Sequence, residues 1–513
     1  MSNRVTQSMD WLHTWAGLLF GWLLFAIFLT GTLTVFDHEL TYWMRPELHR
    51  LTPAAPNLDT AAARLAALAP DAKEWAIILP FARNPALIIA WDGEGESEHG
   101  EQGLDPATGQ PIVVRDTMGG EFFYRFHYRL HLGRPGVWIV GAAAMAMLVA
   151  LVSGIVIHRR IFKDFFTFRP WASAHRAWLD AHNAASVLVL PFHFMITFTG
   201  LVIFWMTYMP AALHLFYEGS AEQAYAALEQ HIQRAPAGSP APLRSLQELE
   251  RQARGYWNGG VTEWIAVTHP GDRRAIVEIV RRANDRLALI SDRVTFDGVT
   301  GDLLQVWRGD RPVFTTYAVL LGLHFLWFDH ATIRWLYFAM GLAASGMIAT
   351  GLLLWVVKRR EHHVARHRGY RLVESLNVAV VAGLPAAVAV LFWSNRLLPV
   401  DLVDRMRWEI RLFFLAWSLC ALHAALRPNG RRLWCEQLSA AAVLFASVPV
   451  VNGLTSSSHL LVTMPARDWT LAGVDLTCLA AGIAFAWTAG RISRQMSRES
   501  QPKLGALPAS EDA

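Results

Sequence analysis

Residues 11–31 read WLHTWAGLLFGWLLFAIFLTG, and residues 178–200 read WLDAHNAASVLVLPFHFMITFTG. Both are apolar stretches with a histidine near the start and a Thr-Gly pair at the end. His13 lies 18 residues before Gly31, and His182 lies 18 residues before Gly200. One offset of 169 superimposes both pairs without a gap. Residues 11–36 contain no Asp, Glu, Lys or Arg, and a bilayer needs roughly 20 apolar residues for one helical crossing. The stretch is too long for a signal-peptide core and has no clear cleavage site, so it reads as a retained anchor.

Working outward, similar charge-poor runs occur near 136–157, 183–206, 333–357, 376–394, 409–426, 438–456 and 469–490, which makes eight expected spans. Only 17% of residues are charged and the mean hydropathy is +0.26, below the roughly 25% charge of a soluble chain. Basic clusters follow the second span (HRRIFKDFFTFRPWASAHR) and the fourth (KRREHHVARHRGYR), and others lie in RPNGRR and RISRQMSR. The positive-inside rule puts all four on the cytoplasmic side, which eight spans with both termini cytoplasmic satisfy. Orientation accounts for these clusters, so no nucleic-acid partner is expected and the lipid bilayer is. Cys420, Cys435 and Cys478 all fall in the C-terminal spans, so no disulfide framework is expected outside. No Cys-x-x-Cys-His is present for covalent haem attachment.

Two long hydrophilic segments face outward. The first reads as a helix (LDTAAARLAALAP), two strands (EWAIILP, PALIIAW) and LDPATGQPIVV. The second reads as a helix (SLQELERQAR), three strands (TEWIAVTHP, AIVEIVRR, LALISDRVTF) and FDGVTGDLLQVW. The strands rest on alternation and β-branched content. Asp105–Gly109 and Asp297–Gly301 read as tight turns. A His-bearing entry into a span follows each segment: FHYRLHLGRPGVW, then LLGLHFLWFDH. The order span, outer domain, span is thus written twice, which predicts a pseudo-twofold bundle of four helices. Residues 372–513 lie outside the duplication.

Twenty histidines occur, and their placement directs the reading. His13 and His182 are equivalent at the starts of spans one and three. His131 and His324 each sit in a Leu-His pair at the outer ends of spans two and four. A pseudo-twofold axis would bring equivalent residues face to face. Two facing imidazoles with no open position are the axial set of a low-spin haem. Two such pairs, one near each face, would form an electron wire. The plainer alternative is that interfacial histidines bond headgroups, water or carbonyls, although ionisable residues within spans are functional candidates by default.

Other histidines compete. His127 is four residues before His131, and a gap-free register through Gly154 and Gly351 pairs His127 with His324. The Leu-His context favours His131. His193 lies 11 residues after His182, about 20° from the same helical face and roughly 16 Å along an uninterrupted axis. It is a candidate ligand for a second haem, although Leu24 stands at its position in the first half. His158 and His175 are candidates to hold haem propionates, against a plain role as basic flanks. His362, His363 and His367 read as a solvated basic turn. Gly31, Gly154, Gly200 and Gly351 each follow Ser or Thr and allow either close helix packing or room for a flat macrocycle.

At this point the chain resembles the PepSY-associated transmembrane family, whose members include inner-membrane reductases of iron-loaded siderophores. The resemblance covers about residues 9–360. It rests on His13, Trp15, Gly17 and Leu18, on the Phe126 to Gly133 stretch, and on Trp178 to Asn183, with the two Asp-x-x-Thr-Gly turns ending small PepSY modules. It implies a b-type di-haem protein of the bacterial inner membrane that passes electrons from the cytoplasmic side to a ferric-siderophore outside. The ligand role passes to His13, His182, His131 and His324. Thr14 stands where the family often has Arg, and Phe325 where a Gly usually follows the outer histidine.

The expected fold class is therefore a membrane protein, mainly α: a duplicated four-helix haem-binding bundle with two small α+β periplasmic PepSY-like domains and four additional C-terminal transmembrane helices. The expected layout is 1–37 first span; 38–130 first periplasmic domain; 131–206 spans two and three with a cytoplasmic loop; 207–323 second periplasmic domain; 324–360 fourth span; 372–495 the C-terminal spans; 496–513 a cytoplasmic tail.

Reduction suits iron release, because hard oxygen ligands hold Fe³⁺ far better than Fe²⁺. Trp257, Trp264, Trp307, Arg308 and Arg311 are candidates to dock the chelate, against ordinary domain packing. No Gly-x-Gly-x-x-Gly opens a βαβ unit, so the electron donor is expected to be a reductase, a reduced flavin or quinol. The competing readings are a conduit to another periplasmic acceptor, a non-enzymatic PepSY-type binding or regulatory protein, and a transporter.

Overall fold

The computed structural model describes residues 3–500 except 52–53, 82, 94–98, 159–168, 170, 172, 221–222, 225–229, 258–259, 328–329, 361–367 and 429. The chain is a multi-pass membrane protein. Among the described residues, seven helices are long and apolar enough to cross a bilayer, or eight if one bent pair forms a single span. They are α1 (Asn3–Thr34), α5 (Arg134–Ile157), α10 (Ala331–Arg360), the near-continuous α11 and α12 (Arg368–Val381, Gly383–Leu397), α13 (Arg405–Leu426), α14 (Arg431–Thr455) and α15 (Trp469–Ser500). The bent pair is α6 (Ala174–Leu188) with α7 (Leu190–Ile203), broken by 64° around Val189.

That break corrects the expectation of one straight third span. Pro191 sits in the first turn of α7. It has no N–H to give the carbonyl four residues earlier, and its ring crowds that carbonyl, so α6 cannot run on through it as one helix. His182 and His193 therefore lie on different helices, bent by 64°, and share no single helical face.

The chain divides into two compact units, and α1 and α10 each run from one into the other. The first contains Ile27–Ile157 and Leu188–Ala344. Its hydrophilic part is a seven-stranded antiparallel sheet in the order β3-β2-β1-β4-β5-β6-β7. The strands are β1 (Glu74–Ile78), β2 (Leu87–Asp92), β3 (Gly100–Leu104), β4 (Thr262–Thr268), β5 (Ile276–Arg281), β6 (Arg293–Asp297) and β7 (Leu303–Trp307). Helices α3 (Leu58–Leu68) and α8 (Leu246–Gly255) share one hydrophobic core with it. The two hydrophilic segments are therefore not closed separately. β1 of the first pairs with β4 of the second, with Ala76 opposite Ala266 and Ile77 opposite Ile265. Alternate residues point one way along a strand, and Trp75, Ile77, Ile265, Val267, Val277, Ile279, Val294 and Phe296 form the buried set.

The duplication survives in the helices. Asn57 caps α3 by accepting from the Thr60 N–H, and Ser245 caps α8 by accepting from the Glu248 N–H. Such side-chain caps are worth about 1 kcal/mol each. The two helix starts are also bound to each other, because the Ser245 hydroxyl donates to Asp59 at 2.7 Å. Both Asp-x-x-Thr-Gly stretches are tight turns, with Gly109 at φ 70° and Gly301 at φ 81°. Asp105 accepts from the Ala107 N–H, and Asp297 accepts from the Val299 and Thr300 N–H groups. The second turn joins β6 to β7. The first follows β3 and returns the chain to a bridge between Leu104 and Pro111.

A buried ion cluster ties the sheet to the helices of this unit. Glu39, in α2 (Asp37–Trp43), accepts from Arg83 at 2.8 Å and pairs with Arg334 of α10 at 2.6 Å. Arg334 also donates to the Val35 carbonyl just beyond α1. Desolvation pushes the Glu39 carboxyl up, but Arg83 and Arg334 outweigh it and hold it below its ordinary value.

The second unit contains Asp10–Ala26, His158–Val187 and Ser345–Ala513. The four C-terminal spans expected from sequence are α11 with α12, α13, α14 and α15. Asn377 of α11 accepts from the Trp22 indole at 2.8 Å and donates to the Leu352 carbonyl at 3.2 Å, which joins α1, α10 and α11. Polar pairs buried among the C-terminal spans include Arg405 with Glu409 and Asn452 with Asp475.

Candidate functional site

Four histidines stand in two facing pairs. In the second unit, the ring centres of His13 on α1 and His182 on α6 are 6.3 Å apart, with planes at 70°. In the first unit, the rings of His127 and His324 are 6.1 Å apart, with planes at 34°. His127 lies in the last turn of α4 (Glu121–Arg129), and His324 in the last turn of α9 (Pro312–Phe325). Each helix ends in a left-handed residue, Leu130 and Leu326. All four imidazoles are half-buried.

The proton positions follow from their partners. His127 Nδ1 lies 2.8 Å from the Ile27 carbonyl oxygen, and His182 Nδ1 lies 2.9 Å from the Met347 carbonyl oxygen. A carbonyl only accepts, so Nδ1 carries the proton in both rings. His324 Nδ1 lies 3.0 Å from the Thr199 hydroxyl. That hydroxyl donates its one proton to the Met195 carbonyl at 2.8 Å, so it accepts from His324. In all three rings the Nε2 lone pair is left for an electrophile. Fixing one ring nitrogen so that the other can bind metal is the usual arrangement of a histidine ligand.

Glycines make room for these rings. A Cβ at Gly31 would lie 2.6 Å from His127 Nδ1, one at Gly200 would lie 3.0 Å from His324 Cε1, and one at Gly351 would lie 3.0 Å from His182 Cε1. Expected to be either packing residues or space for a macrocycle, these three glycines receive the imidazoles. The contacts repeat with the duplication, since Gly31 takes His127 in the first half as Gly200 takes His324 in the second.

An axial imidazole sets its ring centre roughly 3 Å from the metal, from a bond of about 2 Å and about 1 Å more to the centre. Two trans imidazoles thus have centres about 6 Å apart. Both pairs match that spacing, so the residues present fit a bis-histidine haem at each position.

His131 is not brought to His324. Leu130 and His131 both take left-handed backbone, at φ 53° and 54°, as the chain leaves α4. His131 Nε2 donates to the Phe122 carbonyl at 3.0 Å, and its ring packs on Phe122 at 4.6 Å. The Leu-His pair at 130–131 thus belongs to a helix end. The register through Gly154 and Gly351 identifies the facing residue as His127. His193 is fully buried in α7, with Phe28 at 6.2 Å and Phe192 at 6.4 Å. His158, just past α5, is within electrostatic reach of His182. His175 opens α6, where Asp180 is gripped by Arg169 at 3.0 Å and Arg176 at 3.1 Å. His362, His363 and His367 lie outside the described residues.

Of the residues considered for docking a chelate, Trp307, Arg308 and Arg311 line one cavity of about 180 Å³ at the end of β7, together with Gln230 and Phe314. Trp257 belongs to the core of the sheet, and Trp264 sits in β4 between Ile78 and Val280.

A family model described as the PepSY-associated TM region matches residues 11–358. An uncharacterized protein of Pseudomonas aeruginosa is 27% identical over 396 residues, a match that covers 72% of this chain and 95% of that one.

Proposed function

The chain belongs to the PepSY-associated TM family, and from that premise we propose that it is a membrane oxidoreductase holding two b-type haems, one between His13 and His182 and one between His127 and His324. The observation that carries the reading is the spacing of the two pairs, 6.3 Å and 6.1 Å, with three Nδ1 protons already committed to neighbouring helices. A haem bound in this way takes up and gives up one electron without an open coordination position. The chain's own part is to hold the rings, exclude water and fix the tautomer.

In this reading the chain passes electrons from one side of the membrane to the other. The donor is a reductase, a reduced flavin or quinol on the cytoplasmic side of a bacterial inner membrane. The acceptor is a periplasmic ferric-siderophore. One electron converts its Fe³⁺ to Fe²⁺, and the oxygen donors then let the metal go without any bond of the chelator breaking. The cavity at Trp307, Arg308 and Arg311 offers cations and an aromatic face to an anionic chelate arm.

The test uses the full chain in vesicles, with a ferric-siderophore outside and a chromogenic Fe²⁺ trap beside it. Chemically reduced protein should form the coloured Fe²⁺ complex, and His127→Ala and His182→Ala should each abolish it. Equal rates in wild type and both variants would overturn the reading. Haem present with no iron reduction would favour a conduit to another acceptor.

A further inference from the structure

Three of the ring contacts share one sequence device. Thr30-Gly31, Thr199-Gly200 and Thr350-Gly351 each lie opposite an imidazole from another helix. In each, the glycine admits the ring. Ile27 and Met347, which accept the Nδ1 protons of His127 and His182, both lie four residues before their glycine, and Ile196, in the same position before Gly200, also bonds His324. The threonine hydroxyl stands beside that bond, and its distance from the ring is graded. Thr199 is 3.0 Å from His324 Nδ1, and Thr350 is 3.4 Å from His182 Nδ1. At His127 the Ile27 carbonyl is nearest, at 2.8 Å.

We infer that these Thr-Gly pairs are positioning sockets, and that Thr199 in particular tunes the electron affinity of the His127–His324 site. The inference rests on the haem reading proposed above. A hydrogen bond from Nδ1–H to an acceptor gives the ring imidazolate character and makes Nε2 a stronger donor, which stabilises the ferric form. The Thr199 hydroxyl has backbone carbonyls for its one proton, Met195 at 2.8 Å and Ile196 at 3.2 Å, so toward the protonated His324 Nδ1 it acts as an acceptor. Valine has the same shape as threonine but cannot accept. Thr199→Val should therefore weaken Nε2 and shift the site to a more positive midpoint potential, while Thr199→Ser should retain the wild-type value. Thr350→Val should shift the His13–His182 site less, in keeping with the longer distance.

The experiment is a spectroelectrochemical titration of purified full-length wild type, Thr199→Val, Thr199→Ser and Thr350→Val, with haem counted per chain. The expected result is two haems in every protein, a positive shift of one midpoint in Thr199→Val, its rescue in Thr199→Ser, and a smaller shift of the other midpoint in Thr350→Val. Unchanged potentials in Thr199→Val at full haem content would overturn the socket inference and leave the haem reading standing. Equal shifts in Thr199→Val and Thr199→Ser would also overturn it, because loss of packing rather than of the acceptor would then be responsible. Haem-free wild type would overturn both.

Discussion

Alanine at Gly31 isolates what the glycine at a histidine site does. The new Cβ would lie 2.6 Å from His127 Nδ1, 2.7 Å from Cε1 and 3.3 Å from Cγ. Ordinary contact begins near 3.4 Å, so the ring must retreat by 3.4 − 2.6, about 0.8 Å. A retreat of that size along the bond to Ile27, now 2.8 Å, takes it to about 3.6 Å, where it no longer counts as a hydrogen bond. Overpacking costs about 1–3 kcal/mol, and the lost bond about 0.5–1.5 kcal/mol. Taken together as about 2–4 kcal/mol against the haem-ready geometry, this weakens haem binding at that site about 30- to 700-fold, at 1.4 kcal/mol per factor of ten. Gly17, on the same helix, has nothing within 4 Å of an added Cβ, and Gly17→Ala is the control. Gly200→Ala is intermediate, with its nearest ring atom at 3.0 Å. The assay is haem per chain by pyridine haemochrome, with the oxidised and reduced spectra. Gly31→Ala should lose about half its haem, Gly200→Ala less, and Gly17→Ala none. A Gly31→Ala protein with full haem and unaltered spectra would show that the glycine does not shape a ligand site.

Three further outcomes follow from the geometry. His127→Ala should remove one haem, whereas His131→Ala should keep both and cost only the bond to Phe122, about 1 kcal/mol in thermal stability; haem analysis of the two variants separates them. The imidazole planes cross at 70° in the His13–His182 pair and at 34° in the His127–His324 pair, so, if these rings hold the proposed haems, electron paramagnetic resonance of the oxidised protein should give a highly anisotropic low-spin signal from the first and a rhombic one from the second. Two identical rhombic signals would contradict these angles. Glu39→Gln leaves Arg83 and Arg334 without their buried carboxylate and should lower stability by about 3–5 kcal/mol. Because the folded carboxyl of Glu39 is held below its ordinary value, its stabilisation is present above the unfolded pKa of about 4.3. It is lost as pH falls through the lower folded value. Melting curves in detergent between pH 7 and pH 3 should show that loss in wild type and not in Glu39→Gln.

Much of this was legible in the sequence because hydropathy and repetition are local signals. The spans, five of the seven strands, the helices α3 and α8 and the facing of His13 with His182 can be read from runs and offsets, whereas β3, Gly100–Leu104, carries no apolar alternation to announce it. The single sheet could not be read so. The β1–β4 pairing joins Ala76 to Ala266, and no periodicity within either strand encodes a partner that far along the chain. The break at Val189 had a signal in Pro191, which an apolar run conceals because hydropathy does not register backbone sterics. The partner of His324 illustrates two cues in conflict. The Leu-His dipeptide repeats at 130–131 and 323–324, but Leu130 ends a helix while Leu323 lies inside one. The glycine register measures distance to the span and so picked out His127. The Thr-Gly pairs were visible as small residues, but what they receive depends on a neighbouring helix.

The most direct test of haem held by these histidines is a dithionite-reduced minus oxidised absorption spectrum of the purified full-length protein, expressed with ample haem supply and counted for haem. Two haems per chain with sharp b-type bands are predicted, falling to one in His127→Ala or His324→Ala and to one in His13→Ala or His182→Ala. A folded, haem-supplied protein that remains colourless would contradict it, and the two facing pairs would then be a structural inheritance of the duplication.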